Sequence, residues 1–177
     1  MWLVDVFFKF WLKRARYPWS RLRRRVFETG YLNTGLPTAN SPEEIRDQLS
    51  TVKWCMEGPL HLYDSISYPQ TVWAKKKDDC DGFAVLASEL LHRWDPTTEP
   101  VLLTVMMHPV KESHTVCVFK QDGKLRWFDN SELDHQLYES HLQIVEQVLQ
   151  RGDRLICWDI ADHKNLQQLE FHGVKSL

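Results

Sequence analysis

The segment Asp78-Asp79-Cys80-Asp81-Gly82-Phe83 is the part of this 177-residue chain best suited to do chemistry. From Cys80 onward, Phe83, Leu86, Ala87, Leu90 and Leu91 recur at helical spacing with no proline before Pro96. A largely buried helix is therefore expected to start at or just before Cys80, capped by Asp78 or Asp79. A thiol at such a start meets the positive end of the helix dipole and free backbone N–H groups, which favour the thiolate. The same N–H groups can hold the oxyanion formed when a thiolate attacks a carbonyl. Asp78, Asp79 and Asp81 oppose thiolate formation, so a cationic partner is expected nearby. The plain alternative is a cysteine buried for packing, but three acids around it are a poor apolar setting.

A nucleophile of this kind needs a base, and the strands further on offer one. VLLTVMM (101–107) is a continuous apolar run suited to an inner strand; HTVCVF (114–119) and LRWFD (125–129) alternate and flank a QDGK turn. In an antiparallel hairpin about that turn, His114 at the start of one strand lies beside Asp129 at the end of the next. A histidine beside a carboxylate is what a thiol's base requires. His108, before Pro109, is the reserve base. Asn130 could replace Asp129 as the group orienting the imidazole, but strand parity puts it on the opposite face. His114 and Cys117 are unlike a metal pair, because three residues apart on a strand they face opposite sides. Cys55, Cys117 and Cys157 sit in apolar elements and read as inert.

The elements that must position these groups begin after residue 40. Ser41-Pro42-Glu43-Glu44 reads as an N-cap, a first-turn proline and first-turn acids, followed by Ile45, Leu49, Val52 and Met56 on one helical face with Gly58-Pro59 as the stop. Residues 137–150 (Leu137, Ile144, Val145, Val148, Leu149) read as a later helix ended by Gly152, and DRLICWDI (153–160) as a further strand.

Charge sets the first 40 residues apart. Residues 1–30 hold eight Lys and Arg against Asp5 and Glu28, net +6, which leaves −8 on the rest of a chain whose total is −2. Asp5, Lys9, Lys13 and Arg16 draw one narrow polar stripe on a helix, and Trp2, Leu3, Phe7, Phe8, Phe10, Trp11 and Leu12 fill the remaining circumference. Pro18 is expected to break that helix. This basic amphipathic arm (1–40) is expected to dock on the body, a protein partner or a particle. An anionic membrane surface and nucleic acid are the other readings.

Composition excludes several classes. No apolar run of about 18 residues occurs, so no transmembrane helix is expected. Four scattered cysteines without a CxxC pair do not make a disulfide framework. The N-terminus is unlike a signal peptide, with an acid at position 5 and its arginines behind the apolar stretch. A cytoplasmic or virion-associated location is expected.

The body resembles the transglutaminase-like superfamily, particularly its bacterial and phage-type cysteine peptidase-like members. The likeness rests on Asp79-Cys80-Asp81-Gly82-Phe83-Ala84 opening an apolar helix, Ser113-His114-Thr115-Val116 opening a strand, and Phe128-Asp129-Asn130 closing one. It covers residues 41–160 and departs from the family at Asp78, where many relatives carry Gly. The resemblance implies an α+β fold over 41–177 with a papain-like core, in which a Cys-bearing helix packs on an antiparallel β-sheet. It implies a Cys80-His114-Asp129 triad acting on an amide of a protein or peptide, by hydrolysis, deamidation or cross-linking. Trp73 or Gln70 would assist at the oxyanion. Some relatives bind calcium beside the catalytic cysteine, where Asp79 and Asp81 stand, although solvated helix-start acids are the plainer expectation; no other cofactor is implied. The alternative reading is a structural or assembly protein, such as a bacteriophage virion component, on the same fold.

Overall fold

The structure is a computed structural model that describes residues 2–56 and 65–174. It is an α+β protein built on one six-stranded antiparallel sheet. Its strands are β3 (Val101–His108), β4 (His114–Gln121), β5 (Lys124–Asp129), β6 (Glu132–Leu133), β7 (Arg154–Asp162) and β8 (Gln168–Gly173), in the spatial order β6-β5-β4-β3-β7-β8. The apolar run of β3 lies between β4 and β7, so both its edges are paired, and its two faces are buried in separate cores. The β4–β5 turn takes Asp122 and Gly123 through positive φ, the geometry that matches a tight hairpin to the strand twist.

Alternate residues of β3 sort the layers. Leu102 faces a core formed with α5 (Cys80–Trp94), α3 (Pro42–Leu49) and α4 (Pro69–Lys75), whose members include Ile45, Leu49, Val72, Phe83, Leu86, Phe119 and Phe128. Leu103, Val105 and Met107 face a second core with Ile144, Val145 and Val148 of α6 (His141–Leu149). Helices thus cover both faces of the sheet. A short parallel pair, β1 (Lys53–Trp54) and β2 (Lys77–Asp78), brings the chain to the start of α5.

Three helix boundaries differ from expectation; the later helix starts at His141 and not at 137, because Tyr138 pairs with Leu125 of β5. Helix α3 ends at Leu49, and the chain turns into β1 instead of continuing to Met56. Val52 is buried all the same, so its contribution to the apolar pattern comes from a turn. The stop expected at Gly58-Pro59 falls outside the described residues. Near the N-terminus, Pro18 does not break the helix. Helix α1 (Trp2–Phe10) passes through a π-helical turn (Trp11–Ala15) into α2 (Arg16–Phe27), and Arg16 N–H bonds the Trp11 carbonyl. The wider turn puts Pro18 in the opening turn of α2, where a missing N–H costs little.

The two ends of the polar stripe, Asp5 and Arg16, face inward, whereas Lys9 is half-buried and Lys13 exposed. Asp5 is buried, with Oδ1 2.7 Å from His108 Nε2 and Oδ2 2.9 Å from Arg154 Nη2. Those contacts hold the Asp5 carboxyl below its ordinary value. Phe8 and Leu12 pack with Met106, Ile156 and Cys157 on the α5 side of the sheet. Tyr17 donates to Asp159 at 2.9 and 3.0 Å. Arg24 reaches the Ile66 and Ser67 carbonyls at 2.9 and 2.6 Å, and buried Glu28 accepts from Tyr68 N–H and Thr71. Residues 2–28 therefore share the layer of α5.

Candidate active site

Asp79 caps α5 by accepting Asp81 N–H at 3.1 Å, and Cys80 is the first helical residue. Asp78 on β2 turns its carboxylate under that first turn, where its Oδ1 accepts Asp79 N–H at 2.9 Å. A Cβ on residue 82 would overlap the Asp78 carboxyl group, so Gly82 gives the Asp78 side chain its room. The Asp78 side chain is thereby accommodated within the DDCDG segment itself.

His114 and Asp129 meet as the hairpin register requires: Cys117 pairs with Phe128, and His114 Nε2 lies 2.8 Å from Asp129 Oδ1. An ionised carboxylate only accepts, so Nε2 carries the proton and Nδ1 is left as the basic nitrogen. Arg151, just past α6, forms an ion pair with the other Asp129 oxygen. Burial first, and then the Arg151 charge, push the His114 imidazole down to about 4. With its charge answered by Arg151, Asp129 orients the ring without holding it protonated.

Arg16 was not anticipated as a site residue. Its guanidinium forms a buried ion pair with Asp81 and donates to Thr104 Oγ1 at 2.7 Å and Thr115 Oγ1 at 3.1 Å. It supplies a cation one residue from Cys80, where the acidic surroundings call for one. The signal was present as the last member of the Asp5-Lys9-Lys13-Arg16 stripe, but charge alone reads as a solvated face. Arg151 left no such signal, because its loop follows α6 and only the tertiary fold brings it to Asp129. Asn130 takes positive φ (54°), which turns it back toward the site despite strand parity. Its Nδ2 lies 3.3 Å from Asp129 Oδ1.

Cys80 and His114 line two cavities together. One, of about 20 Å³, is roomy enough for about one water and is walled by Phe8, Trp11, Arg16 and Met106. The other is an open cleft of about 350 Å³ lined also by Trp54, Met56, Lys111, Asn130 and Arg151. Trp73 and Gln70 both lie on α4; Trp73 packs against the α5-side core with the Lys76 ammonium 2.8 Å from its ring centre. Neither side chain lines the two cavities around Cys80. His108, the reserve base, is engaged by Asp5.

Cys80 is itself buried, at 6% exposure, and Cys55 is half-buried; the remaining two thiols differ from Cys80 in their surroundings. Cys117 and Cys157 are buried and pushed up to about 12 by that burial, and Cys117 lies 3.1 Å from Ser88 Oγ. Asp79 and Asp81 are buried and not the solvated helix-start acids expected, and a calcium site does not fit them, because Arg16 already stands against Asp81 and Asp79 is committed to its cap. Among the described residues no group of three or more His, Cys, Asp or Glu is placed to hold a metal ion. Among them, too, no helix is long and apolar enough to cross a membrane. In comparison with known proteins, the sequence matches no family model and no curated protein.

Proposed function

We propose that this protein is a thiol acyl-transfer enzyme with a transglutaminase-like, papain-like core, acting on an amide of a protein or peptide. The observation that carries this reading is the His114–Asp129 contact of 2.8 Å beside a 350 Å³ cleft that Cys80 and His114 line together. A cleft of that size admits a side chain or short peptide segment, and half-exposed Trp54 and Met56 offer it apolar contact.

In this mechanism the neutral His114 takes the Cys80 proton at Nδ1 as sulfur attacks the amide carbonyl. Asp129, through Nε2–H, steadies the ring and the imidazolium that forms. The tetrahedral oxyanion meets the N–H groups of the first turn of α5. His114 then returns the proton to the departing amine or ammonia, the C–N bond breaks, and an acyl thioester remains on Cys80. Water or a lysine amine takes the acyl group and restores the thiol. Arg16 offsets the Asp81 charge that would otherwise oppose a developing thiolate.

The test offers the protein a glutaminyl peptide with hydroxylamine, and separately peptidyl anilides. Hydroxamate or aniline should form, and Cys80→Ala should abolish it. A structural or assembly role is the second reading, favoured by the near-filled cavity between Cys80 and the N-terminal helix. Absence of an acyl adduct on Cys80 with all of these substrates would favour it.

A further inference from the structure

With Asp5 and Arg16 turned inward, the N-terminal helix presents an apolar ridge to solvent. Leu3, Phe7, Phe10, Leu22 and Val26 follow one line along it, and Val4, Val6, Trp19 and Phe27 flank that line. All nine are at least 41% exposed, and Leu3 and Phe27 reach 73%. From Leu3 to Phe27 the ridge is about 36 Å long at the helical rise. So long an apolar surface is unusual on a protein that meets only water.

The charges on this helix are sorted as sharply as its apolar residues. Asp5 is the only acid among residues 1–27, and it is buried against His108 and Arg154. Arg16 and Arg24 also point inward, and Arg21 and Arg23 bond to the body. Lys13, Arg14 and Arg25 remain exposed, with Arg14 in line with the ridge between Phe10 and Leu22. The outward surface is therefore apolar and cationic, with no carboxylate. Nucleic acid is disfavoured, because most of the arginines that suggested it are committed to the interior.

We propose that this ridge seats the protein on an anionic lipid surface, with the helix lying in the plane of the headgroups. Aromatic and aliphatic side chains along one face, with Lys and Arg beside them and no acid, suit the boundary between acyl chains and anionic headgroups. The long stems of Lys13, Arg14 and Arg25 let their charges reach headgroups while the ridge enters the bilayer. The sequence after residue 30 carries net −8, so repulsion keeps the other faces away and fixes the orientation. This proposal does not depend on the chemistry at Cys80.

Flotation of the full-length protein with vesicles tests it. Vesicles of phosphatidylcholine with phosphatidylglycerol should carry the protein, and phosphatidylcholine alone should carry at least about tenfold less. K13E/R14E/R25E should lower recovery on anionic vesicles by at least about tenfold, as should F7S/F10S, with far-ultraviolet circular dichroism unchanged. Equal recovery on both vesicle types, or recovery indifferent to both variants, would overturn the proposal. So would a dimer in solution that F7S/F10S dissolves, since a second copy would then be what covers the ridge.

Discussion

The guanidinium of Arg16 lies against the carboxylate of Asp81, the residue that follows Cys80, with both groups almost fully buried. The pair joins the N-terminal helix to the first turn of α5 and puts a positive charge among the acids around the thiol. Arg16→Gln should slow Cys80 alkylation at pH 7 by roughly tenfold and cost about 3–5 kcal/mol, because it leaves Asp81 buried without that cation. Arg16→Gln with Asp81→Asn should recover much of both losses. Rates from thiol labelling and midpoints from urea titration measure the two effects.

The Arg151–Asp129 pair makes a separate prediction. Arg151 helps hold the His114 imidazole down to about 4, so Arg151→Gln should move its titration upward. The acid limb of Cys80 labelling should fall near pH 4 in the wild type and at higher pH in the variant. Histidine NMR titration of the same two proteins should follow the shift.

Stability against pH tests two buried groups of opposite sign. His114 titrates lower when folded than its ordinary 6.5, so the unfolded chain binds more protons between about 4 and 6.5 and stability rises with pH across that window. Burial raises Asp159 from 3.8 to about 6. There the folded chain binds more protons, and stability falls as pH rises through that range. Each effect amounts to about 3 kcal/mol at most, and in the wild type they largely cancel between pH 4.5 and 6. Asp159→Asn should expose the rise and His114→Gln the fall, as read by urea midpoints at several pH values.

Residue 82 supplies a steric test. Gly82→Ala sets a methyl group into the Asp78 carboxyl group, so it should destabilise the start of α5 by about 1–3 kcal/mol and slow Cys80 labelling. Gly82→Ala with Asp78→Gly should be milder in both respects.

The β3–β4–β5 meander and the α5 helix were legible because their apolar periods are long and their turn residues explicit. Cys80, His114 and Asp129 could be singled out because a helix start and a hairpin register fix where those residues fall. The N-terminal helix was legible as amphipathic, but its pattern alone does not say which side meets the body. Asp5, Arg16 and Tyr17 are buried because they find His108, Asp81 and Asp159 on the body, partners no local pattern reveals. Pro18 misled for a related reason, since a π turn can absorb a proline and leaves no mark in composition. Arg151 and the backbone turn at Asn130 are likewise products of tertiary placement.

The central claim is that Cys80 is a nucleophile served by His114. Its most direct test is iodoacetamide labelling of the native protein between pH 4 and 9, with each cysteine resolved by peptide mass spectrometry. Cys80 should react at least about tenfold faster than Cys55, Cys117 and Cys157 near neutral pH, and His114→Ala should erase that preference while the fold is kept. Equal labelling of all four thiols, or a Cys80 preference that survives His114→Ala unchanged, would contradict the account.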